Sequence, residues 1–149
     1  MTEISFHLNI ADMQGYTLRL LHKAWRSQPR VALLGAEDFL QDISTALWGQ
    51  APTAFVPHCW ASDAVRMQDA GRLVLATPQS LGAVSPAVDV LVKLGQGTEP
   101  AAGFERFVRL IELVPADEAA VADARLRWKH YQKRGYPLHL HDRAAGQSR

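Results

Sequence analysis

The sequence predicts an α/β fold of three layers, with a mostly parallel central sheet flanked by helices. Three observations carry that expectation. The runs "RVALLG" (30–35) and "RLVLAT" (72–77) are apolar but too short for helices, so they read as buried strands. Segments with apolar residues at helical spacing lie between such runs. One long segment, 116–134, places acids first and bases last, in accord with a helix dipole.

Taken in order, "ISFHLNI" (4–10) alternates apolar and polar residues, the period-two mark of a strand. "GYTLRLLHKAWRSQ" (15–28) sets Leu18, Leu21 and Trp25 at helical spacing, and Pro29 ends it. After the strand at 30–35, "AEDFLQDISTALW" (36–48) aligns Phe39, Leu40, Ile43 and Leu47 on one stripe. Glu37 and Asp38 favour its N-terminus, and Gly49 stops it. The strands at 72–77 and "VDVLVKL" (88–94) are separated by a loop rich in Pro, Ser and Gly. "FVRLIELV" (107–114) reads as a strand, although the spacing of Phe104, Phe107 and Ile111 also permits a helix. The helix at 116–134 finds a stop in Gly135. Strands alternating with helices favour a parallel sheet.

A chain of 149 residues is expected to form one domain over 1–149, with about 142–149 a flexible tail. Its apolar share of 48% and charged share of 21% are those of a globular protein. No apolar run is long enough for a membrane span, and "MTEISFHLNI" has no basic leader before an apolar core. A single Cys fits a reducing compartment, so a cytoplasmic location is expected. The net charge of +1 is uneven: residues 124–149 hold seven Lys/Arg against one acid, Asp142. That end is either a surface for something anionic or a solvated helix face and tail.

Few stretches of the chain carry the marks of a reaction centre. No G-x-x-x-x-G-K-[ST] or G-x-G-x-x-G loop exists to cradle phosphates; "LGQGTEP" (94–100) has two glycines but no Lys. Cys59 follows His58 directly, and neighbours on an extended segment point apart, so His58 does not readily activate the thiol. His139 and His141 in "PLHLHDR" would share a face if extended, yet no third ligand is signalled. No catalytic residue, metal or cofactor is expected: the chain binds rather than catalyses.

Two segments carry a resemblance. "ALWGQAPTAFVPH" and, far downstream, "IELVPADEAAVADARLRWKHYQKRGYPL" resemble the chi subunit family of bacterial DNA polymerase III. The shared marks are A-L-W, F-V-P-H, then V-P before a helix of the form A-R-x-R-x-K. Trp128 stands where the family often has Tyr, and Val121 where a basic residue is common. The resemblance implies a non-catalytic accessory of the clamp loader, with a nucleotide-binding-like fold but no nucleotide site. It implies binding of the C-terminal tail of single-stranded DNA-binding protein (SSB), an acidic stretch ending in Pro-Phe with a free carboxylate. It also implies a second surface for the psi subunit, shared in some bacteria with a DNA-repair helicase. DNA would be reached indirectly, through SSB.

The residues agree with that expectation. Val121, Arg125, Trp128, Lys129 and Gln132 form one stripe on the 116–134 helix. Arg125 suits a terminal carboxylate, and Trp128 suits the wall of a slot for the terminal Phe. Trp48 would extend the wall and Val114 would form the floor, while Lys129, with Arg127 or Lys133, would attract acidic residues at the rim. The alternative is Trp128 as plain core. In "FVPH", Pro57 stiffens the chain and holds Val56 extended. By resemblance Phe55 is the contact for psi or the helicase, with Val56, Pro57 and His58 shaping it; the alternative buries Phe55 under the sheet. Two other functions stay open: a nucleotide-dependent enzyme, and direct nucleic-acid binding by the basic C-terminal helix.

Overall fold

The computed structural model describes residues 1–27, 29–49, 57–71, 73–94 and 97–142. The elements are β1 (Glu3–Ile10), α1 (Met13–Ser27), β2 (Val31–Leu34), α2 (Glu37–Trp48) and β3 (Cys59–Trp60). Then come α3 (Val65–Gly71), β4 (Leu73–Ala76), β5 (Val90–Leu94), β6 (Arg109–Pro115), α4 (Glu118–Lys133) and β7 (Leu138–Asp142). The seven strands form one sheet in the order β3-β4-β2-β5-β6-β1-β7. The registers of β1 with β6 and β7, and of β4 with β2 and β3, are all parallel. The fold class is therefore the α/β one that the sequence predicts. No helix among the described residues is long and apolar enough to cross a membrane.

The chain divides into two compact units, Met1–Met13 with Val92–Arg149, and Gln14–Leu91. In the second, β2 and β4 are buried throughout, which explains their unbroken apolar runs. Of the α2 stripe, Leu40, Ile43 and Leu47 are fully buried, while Phe39 at its edge is half-buried. Buried Gln68 on α3 ties the loops near β3: its amide donates to the carbonyls of Ala61, Asp63 and Ala83, and its oxygen accepts from Ser85 N–H.

In the first unit β1 lies between β6 and β7, and α4 packs on one face of these strands. The ladder pairs Phe6 with Glu112 on one side and with Leu140 on the other, forming a row across three strands. Phe6 meets α4 through Trp128 and Tyr131, with ring centroids at 5.2 and 5.9 Å in edge-on geometry.

Two elements are shorter than any sequence period can reveal: β3 has two residues and α3 seven. The third difference is β7. Asp142 is the last residue of this strand, not the start of a tail, and its Oδ1 accepts from Asn9 Nδ2 at 2.7 Å. Residues 143–149 lie outside the described residues.

Candidate functional site

Helix α4 is set at both ends by its own sequence. The Asp117 side chain accepts from Ala120 N–H at 3.1 Å, and Glu118 lies in the first turn. At the other end Gly135 takes a left-handed φ of 80°, with Gly135 N–H bonded to Gln132 O and Tyr136 N–H to Tyr131 O. That pair of hydrogen bonds is a Schellman stop, whose left-handed position a residue with a Cβ adopts only under strain. The helix is thereby fixed in length, and two faces of it do different work.

The inner face carries Ala124, Arg127 and Tyr131, all buried. Arg127 is 0% exposed, so it is not the rim cation that it was expected to be as an alternative to Lys133. Its Nε lies 3.2 Å from Glu112 Oε1, and its Nη1 donates to the Gly97 carbonyl. Lys93 Nζ approaches the same Glu112 oxygen at 3.4 Å, and Tyr131 O–H donates to Oε2 at 2.6 Å. Burial of a cation is tolerable only with such a partner, and Glu112 of β6 supplies it. Burial pushes the Tyr131 hydroxyl up, with Glu112 adding to the shift, so it stays protonated and donates. One of the two glycines in 94–100 is thus engaged by a core guanidinium.

The adjacent face opens on a pocket of about 400 Å³. Val121, Ala124, Arg125 and Trp128 line it from α4; Phe6, Leu8 and Asn9 from β1; Leu140 and Asp142 from β7. The row across the strands explains its position. At the Glu112 end the row is sealed by Arg127 and Tyr131, while Leu140 at the other end is 55% exposed. Trp128 is half-buried, its indole braced edge-on by Phe6, and Arg125 is exposed. An apolar floor, an indole wall and one guanidinium suit a ligand that is apolar at one point and anionic at another.

Of the expected tail-binding residues, Arg125 and Trp128 share this pocket, and Val121 of the same stripe joins them. Lys129 is exposed on α4 outside the lining, as is Gln132. Val114 is not the floor: it is fully buried in β6 and does not line the pocket. Phe6, Leu8 and Leu140 form the apolar surface instead. Trp48 does not line it either. It ends α2, 68% exposed, with its ring edge-on to His58 at 5.9 Å. The His58 Nε2 lies 2.9 Å from Ser44 Oγ, so His58 is tied back to α2. Pro57 is half-buried; Phe55 and Val56 lie outside the described residues.

Cys59 is buried in β3, and its thiol is pushed up to about 11, by burial first and then by Asp63 and Asp69. A thiol so held is protonated near neutrality and is a poor nucleophile. His139 and His141 do share a face of extended β7, and His141 meets the His7 ring at 4.8 Å. Among the described residues no group of three or more His, Cys, Asp or Glu gathers as a metal site needs.

Sequence reasoning missed the contribution of β1 and β7 to the pocket. Phe6 and Leu8 follow the period-two pattern of 4–10, which marks them as one face but not which helix covers it. Asn9 breaks that alternation. It has φ 59°, and the β1–β6 register shifts between His7 and Ile10, so Asn9 lines the same pocket as its neighbour Leu8.

The model of the family described as "DNA polymerase III chi subunit, HolC" matches residues 1–139. The chain is 32% identical over 128 residues to DNA polymerase III subunit chi of Pseudomonas aeruginosa, covering 83% of this chain and 81% of that one. It is also 32% identical over 116 residues to DNA polymerase III subunit chi of Escherichia coli, covering 76% and 74% respectively. With this coverage, and with the α/β fold in place, the chain belongs to the DNA polymerase III chi subunit family.

Proposed function

We propose that this chain is a non-catalytic accessory subunit of the bacterial replicative polymerase, and that its α4 pocket holds the C-terminal tail of SSB. The observation that supports this reading most is the meeting of Trp128, Arg125 and an apolar floor in one pocket. The terminal Phe of the tail enters against Trp128, Phe6 and Leu140, while Arg125 takes the terminal carboxylate. Exposed Lys129, one residue on from Trp128, draws the acidic stretch that precedes them. A second surface, Phe55, Val56, Pro57 and His58, binds the psi subunit and so links SSB to the clamp loader. A repair helicase competes for that surface. Exposed Trp48, packed on His58, belongs with this second surface rather than with the first. DNA is reached through SSB.

A pull-down tests the reading. The chain retains intact SSB and loses SSB that lacks its final Phe. Equal retention of both forms contradicts it.

A further inference from the structure

The pocket contains an acid, which a site built only to attract an acidic tail would exclude. Asp142 lines it together with Arg125, and its Oδ1 accepts from Asn9 Nδ2 at 2.7 Å. Asn9 takes part only because the chain leaves regular strand geometry there. Its φ of 59° lies in the left-handed region, where Asn is among the few tolerated side chains. The register shift between His7 and Ile10 turns its amide to the pocket side of β1. Local departures of this kind gather at ligand sites.

From this arrangement we infer that Asp142, held by Asn9, is a specificity-determining residue that accepts a backbone N–H of the bound chain. The inference rests on the proposed peptide reading and adds to it a second polar contact. A carboxylate offers about four acceptor positions, so it can take a ligand N–H while it still holds Asn9. In a peptide's last residue the N–H and the terminal carboxylate are borne by the same Cα, one bond away on either side. A pocket with one guanidinium and one carboxylate matches that pair of opposite groups. A tail ending in Pro-Phe supplies a single backbone donor in its last two residues, because Pro has no N–H. The same acid repels the phosphodiester monoanions of nucleic acid, which offer no donor, and so favours a peptide end in this pocket.

The test removes the N–H without touching the protein. An SSB-tail peptide ending in Phe is compared by calorimetry with the ester analogue ending in L-phenyllactic acid. The expected result is about tenfold weaker binding of the ester to the wild-type chain, on the scale of a charge-assisted hydrogen bond. With Asp142→Ala the two peptides bind within about twofold of each other, because the acceptor is gone. Equal binding of amide and ester to the wild type overturns the inference and leaves the peptide reading standing. A full amide-to-ester ratio in Asp142→Ala overturns it too, by locating the acceptor elsewhere. Failure of the natural peptide to bind the wild type overturns the peptide reading itself, and this inference with it.

Discussion

Trp128→Ala and Arg125→Ala are each expected to weaken binding of an SSB-tail peptide by about 10- to 100-fold. For Trp128 the loss would be the wall proposed for the terminal Phe, an effect of about 1.5–3 kcal/mol. Its indole is braced by Phe6, so it is held in place before a ligand arrives and little ordering is needed. For Arg125 the loss is a charge-assisted contact to the carboxylate, again about 1.5–3 kcal/mol, and every 1.4 kcal/mol is tenfold in affinity. Arg125 is exposed, so its replacement leaves the melting temperature nearly unchanged and the effect can be assigned to binding. Calorimetry on both variants checks the expectation. Unchanged affinity in both removes the tail from this pocket.

Glu112→Ala has the largest expected effect on stability. It leaves Arg127 and Lys93 buried beside each other with no counter-charge, and it orphans the Tyr131 hydroxyl. Breaking such a buried pair from one side costs about 3–5 kcal/mol. For a chain of this size that lowers Tm by about 6–20 °C, at about 2–4 °C per kcal/mol. Burial, partly offset by Glu112, already lowers the pKa of Lys93 from 10.5. The unfolded chain thus binds this proton more tightly, so this group's contribution to stability rises with pH up to that value. Without Glu112 the lowering deepens, so the same trend sets in from lower pH. Thermal unfolding followed by circular dichroism reads both effects, and a Tm within about 1 °C of wild type contradicts the role given to Glu112.

The network also shows where a sequence stops being legible. The frame of the molecule could be read, because its signals are local. Alternation in 4–10, the brief apolar runs at 30–35 and 72–77, and the acid-to-base order of 116–134 each depend on neighbouring residues alone. Arg127 could not be read. A charge on an amphipathic helix looks solvent-facing until Glu112, fifteen positions away, is found beneath it. The left-handed turn at Asn9 had no glycine to announce it, and β7 followed a Pro and ended among polar residues. Of the candidate pocket, the α4 half was legible from its stripe. The β1 and β7 half depended on strand order, which places Leu140 beside Phe6 although 134 positions separate them.

The central claim is that the tail of SSB lies between α4 and the β1–β7 edge. Amide chemical-shift mapping during titration with the tail peptide tests it most directly. The account predicts that the largest shifts fall on Val121 to Trp128 and on Leu140 to Asp142, with Asn9 among them. Shifts confined to Trp48, His58 and Trp60 would contradict it.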